Sequence, residues 1–179
     1  MNKNIYELKI GNLTRELPIV KISPDLSIAS FVILGDVEMV SLCAKMLKEK
    51  MPKVDYLVTA EAKGIPLTHE LSKELGIKNY IVARKSVKAY MNEPISHSVV
   101  SITTSKPQTL YLNDTDARLI EGKKVAIVDD VISTGKSIKA LEELVKLAGG
   151  IVETKVCILA EGDAKDRDDI IYLEELPLF

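Results

Sequence analysis

The stretch "KKVAIVDDVISTGKSIKALEELVKLAG", residues 123 to 149, decides the fold. Val125, Ala126, Ile127 and Val128 form an unbroken apolar run that meets two adjacent carboxylates, Asp129 and Asp130. An apolar run without polar alternation reads as a central strand buried on both faces. "STGKS" (133–137) follows, then a helical pattern that closes at Gly149 and Gly150. "KVAIVDD" and the helix from Gly135 therefore form one strand–loop–helix unit, with acids at the end of the strand.

The same unit recurs on either side. "DVEMVSLCAKMLKEKM" (36–51) has apolar residues at helical spacing, with Asp36 placed to cap its start. "VDYLVTA" (54–60) reads as a strand and "IPLTHELSKELG" (65–76) as a helix stopped by Gly76. "YIVAR" (80–84) and "VETKVCILAE" (152–161) are further strands, and "DDIIYL" (168–173) is a last one before "PLF". "YELKI" and "PIVKIS" are short strands near the start. "HSVVSIT" and "QTLYLN" alternate as an antiparallel pair around "TSKP". Strands alternating with helices predict an α/β domain with a central, mostly parallel sheet flanked by helices. Such sheets bind ligands at the carboxyl ends of their strands.

Composition narrows the function classes. The 179 residues suit one domain, and 46% of them are hydrophobic. A net charge of -2 provides no field for nucleic acid or anionic lipid. "MNKNIYELKI" lacks the apolar core of a signal peptide, and no apolar run reaches membrane-spanning length. Cys43 and Cys157 sit singly inside apolar patterns, which predicts buried thiols and a reducing cytoplasm.

The chemistry of "DDVISTGKS" follows from its donors and acceptors. Carboxylates only accept hydrogen bonds, so the neighbouring hydroxyls of a ribose suit Asp129 and Asp130. Ser133, Thr134, Gly135, Lys136 and Ser137 enter a helix whose free N–H groups and dipole favour phosphate. Gly135 permits a positive φ or a close backbone approach. A plain helix cap would explain Asp130 or Ser133 taken alone, but not the ordered combination after a buried strand. A triphosphate-binding P-loop needs glycine five positions before Gly135, where Asp130 stands. Acids for hydroxyls beside donors for phosphate describe a ribose 5-phosphate pocket.

"VAIVDDVISTGKS" resembles the 5-phosphoribosyl 1-pyrophosphate (PRPP) signature of the type I phosphoribosyltransferases, and the order of elements extends the likeness from about residue 15 to the C-terminus. The resemblance implies a single domain over 1–179. Its core would span about 36–160, with a small hood from about 1–35 and the C-terminal segment, and a flexible hairpin lid. It implies that Asp129 and Asp130 hold the ribose hydroxyls and, through them or water, Mg²⁺. It implies that Ser133 to Ser137 hold the 5-phosphate. "TAEAKGIPL" resembles the pyrophosphate loop of adenine phosphoribosyltransferases, which assigns Glu61, Ala62, Lys63 and Gly64 to pyrophosphate and predicts a non-proline cis peptide there. Arg84, Lys85 and Lys88 follow the next strand as the family's basic cluster does and join that assignment. "TTSKP" (103–107) resembles the tip of the lid, whose closure would exclude water. A homodimer is implied as well.

The base is less plainly written. "LPIVKISP" resembles the purine-recognition strand of adenine enzymes and nominates Ile19, Val20 and Lys21. The closing "LP" near the C-terminus resembles purine enzymes too. Phe31 reads as a stacking partner for the base or as core. Many adenine enzymes carry a glutamate in the hairpin, and no acid lies between Ile95 and Leu112. Hypoxanthine–guanine enzymes carry aspartate where Ser133 stands, which argues against those bases. The expectation is transfer of phosphoribose from PRPP to a purine, first adenine. The alternatives are xanthine or another base, or a PRPP-sensing regulator without catalysis. No nucleic-acid or membrane partner is expected.

Overall fold

The computed structural model describes residues 4–99 and 108–179. The tip "TTSKP" lies outside the described residues. Three antiparallel strands open the chain: β1 (Ile5–Ile10), β2 (Leu13–Ser23) and β3 (Leu26–Ala29). Then come α1 (Val37–Lys48), β4 (Tyr56–Ala60), α2 (Gly64–Leu75) and β5 (Ile81–Ala83). A hairpin of β6 (Ile95–Val99) and β7 (Gln108–Leu112) leads to α3 (Asp114–Ile120). β8 (Lys124–Ile132), α4 (Lys136–Leu147) and β9 (Ile151–Glu161) follow, with β10 (Ile170–Ile171) and β11 (Glu174–Leu176) at the end.

The central sheet has the order β10-β9-β8-β4-β5, with β11 also beside β9. Every pairing within it is parallel. β8 lies in the middle because its sequence is apolar on both faces. Val125 and Ile127 pack with Leu141, Leu144 and Val145 of α4. Ala126 and Val128 pack with Met39 and Leu47 of α1 and with Leu67 and Leu71 of α2. Each fully buried Val or Ile of this kind contributes about 1.5–3 kcal/mol. The strand is therefore a stiff mount for whatever follows it.

The first sheet shares this core: Leu8, Ile10, Leu17, Phe31 and Ile33 belong to the cluster of α1 and α2. Arg15 on β2 reaches Asp36 (2.7 Å) and Glu38 (2.8 Å) at the start of α1. Asp36 also caps α1 by accepting from Met39 N–H at 3.1 Å. At the far end of the chain, Phe179 exchanges backbone hydrogen bonds with Ser27 at 2.6 and 2.9 Å. The C-terminus thus closes against β3.

Three local expectations change. β8 continues beyond the acids to Ile132, because Val131 and Ile132 still pair with Leu159 and Ala160 of β9. "DDIIYL" is not one strand: only Ile170–Ile171 pairs, and Glu174–Leu176 pairs separately farther along β9. The unexpected α3 follows Asn113, with Asp114 and Asp116 in its first turn and Arg118 paired to Asp114 at 2.9 Å. Those acids complement the helix dipole. No helix among the described residues is long and apolar enough to cross a membrane.

Candidate active site

β4 is followed by its neighbour β5 on one side, and β8 by its neighbour β9 on the other. The order therefore reverses between β4 and β8. In parallel sheets a crevice forms there, at the carboxyl ends of the strands. A cavity of about 270 Å³ occupies this position. The loop after β4 contributes Glu61, Ala62 and Lys63, the segment after β5 contributes Lys85, and β8 with α4 contributes Asp129, Asp130, Lys136 and Ser137. Residues 61 to 137 of the sequence meet there although they lie on separate units.

The two acids differ. Strand alternation sets Asp129 on the side of α4 and Asp130 on the side of α2. Asp129 Oδ1 accepts from the Asp130 backbone N–H at 2.9 Å. Burial first, and the charge of Asp130 second, push the Asp129 carboxyl up to about 7. Asp130 is 2% exposed, and its Oδ2 lies 3.0 Å from Lys63 Nζ. That contact is an ion pair without a well-directed hydrogen bond, so Oδ2 retains an unmet acceptor position.

The loop after β4 is built for close approach. The Glu61–Ala62 peptide bond is cis, as the resemblance implied. Gly64 opens α2 so near to β8 that a Cβ would stand 3.2 Å from Val128 O and 3.3 Å from Asp129 Cα. Glu61 accepts from Lys85 N–H at 2.6 Å and pairs with Arg84 Nε at 2.8 Å, with Lys88 Nζ at 3.9 Å. The Lys85 N–H and the two side chains hold the Glu61 carboxyl below the usual carboxylate range. Glu61 thus ties the basic segment to the loop. Arg84 and Lys88 do not line the cavity; their charges are turned to Glu61. Arg84 also exchanges backbone hydrogen bonds with Tyr111 at 2.8 Å, which fixes the end of β5 to the hairpin.

The turn after β8 has another character. Gly135 adopts a φ of 74°, a left-handed conformation that favours glycine, and α4 begins at the next residue. Thr134, Gly135 and Lys136 line a second cavity of about 360 Å³ with Lys155, Arg167 and Asp169. Ser133 is half-buried and lines neither cavity.

The residues nominated for the base lie on β2 and just after β3. Ile19 is half-buried, and Val20 and Lys21 are exposed on β2. Phe31 is 7% exposed and packed in the core. None of the four lines the central cavity. Val131, Leu110 and Ala140 do line it, and the sequence reading passed over them as ordinary apolar positions. Cys43 and Cys157 are buried, and burial pushes both thiols up to about 12, so neither is a nucleophile at neutral pH.

No group of three or more His, Cys, Asp or Glu side chains gathers as a metal site among the described residues. The unmet acceptor on Asp130 suits a cation held through ligand hydroxyls or water more than a direct protein cage.

Comparison with known proteins gives a family and a fold likeness. The family model for the phosphoribosyl transferase domain matches residues 37–175. A hypoxanthine/guanine phosphoribosyltransferase of a Methanocaldococcus species is 39% identical over 112 residues, covering 63% of this chain and 53% of that protein. One from Methanothermococcus okinawensis is 33% identical over 126 residues, covering 70% and 64%. The matched stretches thus span less than two thirds of these curated relatives. The crystal structure of adenine phosphoribosyltransferase from Thermoanaerobacter pseudethanolicus superposes with a TM-score of 0.68 at 25% identity, covering 96% of this chain and 95% of that one.

Proposed function

The chain belongs to the phosphoribosyl transferase family, and from that premise we propose that it transfers the 5-phosphoribosyl group of PRPP to a purine base. The products would be a nucleoside monophosphate and pyrophosphate. One observation carries the reading: Asp129 and Asp130 share a single cavity with Lys63 of the loop after β4, with Lys85 and with the start of α4.

In this reading a ring nitrogen of the base forms a bond to the anomeric carbon as the bond from that carbon to pyrophosphate breaks. Positive charge develops on the sugar, and negative charge on the departing pyrophosphate. Asp129 and Asp130 accept the ribose hydroxyls and favour the cation-like sugar. Hydroxyl donors would also favour the charged form of Asp129, which burial and Asp130 disfavour. Ser133 to Ser137 hold the 5-phosphate through backbone N–H groups, hydroxyls and the start of α4. Lys63, Gly64 and Lys85 hold pyrophosphate, with Arg84 and Lys88 beside them and Glu61 and Ala62 shaping the loop. Mg²⁺, held indirectly by Asp129 and Asp130, would supply charge neutralisation to the leaving pyrophosphate. Val20, Lys21 and Ile19 on β2 would present the base from a hood formed by the first sheet and the C-terminal segment. Phe31 would support that hood from the core. The hairpin would be the lid. The assembly would be a homodimer, as the family resemblance implies.

Adenine is the first choice of base, because the structural likeness at 96% coverage is to an adenine enzyme. The curated relatives support a second reading, in which the base is hypoxanthine or guanine. They weigh against the exclusion drawn from Ser133.

A substrate panel tests both. The purified chain is incubated with PRPP, Mg²⁺ and each of adenine, hypoxanthine, guanine, xanthine, orotate and uracil, and pyrophosphate and nucleotide are measured. Turnover with adenine alone supports the first reading, and turnover with hypoxanthine or guanine the second. PRPP binding without turnover on any base would replace the enzyme by a PRPP-binding regulator.

A further inference from the structure

The turn after β8 is braced from outside the cavity by a chain of charges. Arg167 follows a short 3-10 turn, Gly162–Asp166, at the end of β9. Its guanidinium lies so close to Gly135 that any Cβ there would overlap Nη1. It is not a loose surface arginine. Nε and Nη2 both donate to Asp169, each at 2.8 Å, in a bidentate fork. Asp169 Oδ2 also accepts from Lys155 Nζ at 2.7 Å. Lys155, on β9, is 8% exposed and stands 2.7 Å from Glu142 Oε2. Glu142 lies two turns into α4, the helix that Gly135 opens, and also pairs with Lys146 at 2.8 Å. The chain of contacts thus runs from the Gly135 turn through Arg167, Asp169 and Lys155 back to α4.

From this geometry we infer that Arg167, held by Asp169 and Lys155, is a positioning residue that fixes the Gly135 turn in its anion-binding conformation. The inference rests on reading Ser133 to Ser137 as the 5-phosphate turn. A turn that binds through backbone N–H groups is only as good as its backbone geometry. Gly135 at positive φ has the freest backbone of the five residues, and Arg167 removes that freedom from one side. The pyrophosphate loop after β4 takes no part in this network, so the effect should be confined to the phosphate end of the ligand.

The test uses the full chain and two probes, ribose 5-phosphate and pyrophosphate, with dissociation constants measured by calorimetry. Arg167→Met is expected to weaken ribose 5-phosphate about tenfold while leaving pyrophosphate within about twofold. Asp169→Asn, which loosens the fork but keeps the guanidinium, should reproduce most of that loss. Arg167→Lys, which keeps charge without the fork, should not restore binding. KM for PRPP should rise with kcat nearly unchanged. Unaltered ribose 5-phosphate affinity in Arg167→Met overturns the inference, and so does an equal loss of pyrophosphate. If Arg167→Met does not fold, Asp169→Asn alone decides by the same two affinities. No binding of ribose 5-phosphate by the wild-type chain would instead overturn the reading of the turn itself.

Discussion

The loops after β4 and β8 lie side by side yet prepare for anions in opposite ways. The first relies on side-chain charge already engaged within the protein: Lys63 with Asp130, and Arg84 and Lys88 with Glu61. The second offers a glycine turn, hydroxyls and a helix start, with its supporting charges paired behind it. In the proposed reaction the first loop would exchange partners when a ligand arrives, whereas the second would need only to keep its shape. A leaving group that has to be gripped and then released suits exchangeable charges. A phosphate that stays bound through the reaction suits a preformed turn.

The largest expected effect comes from removing the acids that both loops face. Asp129→Asn combined with Asp130→Asn should lower turnover on the order of 10³-fold, since two groups stabilising the sugar cation are lost together. Steady-state rates on the preferred base would show it, and unchanged turnover would sink the ribose assignment. The glycines then separate the two loops. In Gly64→Ala the new Cβ meets Thr59 Oγ1 and the backbone of β8, which cannot yield, at a cost of about 2–3 kcal/mol. In Gly135→Ala the neighbour is the Arg167 guanidinium, a side-chain end that yields only by giving up its fork to Asp169, and the positive φ itself costs about 1 kcal/mol. Thermal unfolding should therefore rank Gly64→Ala well below Gly135→Ala. The reverse order would mean that the turn, not the packed loop, is the rigid partner.

Much of this was legible in the sequence. The double-sided burial of β8 follows from four apolar residues in a row, and the cap of α1 from Asp36. Gly135 was legible as a position for a positive φ or a close backbone approach, and it takes the positive φ. The pairing pattern was not. Glu61 was assigned to pyrophosphate beside the basic cluster, but nothing in the spacing of 61 and 84 says that its carboxylate holds those bases. Arg167 sits in the charged run "DAKDRDD", which any solvated surface could carry, and its place against Gly135 depends on how β9 ends. That Val20 and Lys21 do not line the central cavity is also a matter of how two sheets are set against each other, which no local pattern encodes.

The acids should also make the stability of the protein sensitive to pH. Burial and Asp130 raise the Asp129 carboxyl from its ordinary value of 3.8 to about 7, so the folded state holds a proton more tightly than the unfolded chain. The stabilisation is fully present below pH 4 and is lost as pH rises through 7. Between pH 5.5 and pH 8 Asp129 should remove on the order of 2 kcal/mol of stability. Comparing melting temperatures at pH 5.5 and pH 8 for wild type and Asp129→Asn would isolate the effect, because the substitution should flatten this part of the slope. Ribose 5-phosphate should restore stability more at pH 8 than at pH 5.5. Equal slopes in the two proteins would place the titration elsewhere.

The smallest expected effect probes the exchange itself. Glu61→Gln keeps an acceptor for the Lys85 N–H but removes the charge that engages Arg84 and Lys88. If pyrophosphate must displace that carboxylate, the variant should bind pyrophosphate tighter, by about threefold to tenfold, or roughly 0.6–1.4 kcal/mol. The gain should fade with added salt, because it is a difference in charge on a partly open surface. Release of pyrophosphate should slow in proportion, so turnover at saturation should fall while affinity rises. The alternative is that Glu61 serves chiefly to aim Arg84, in which case the variant would bind pyrophosphate more weakly. The sign of one affinity change therefore decides whether the acid in the loop after β4 competes with the ligand or arranges the side chains that receive it.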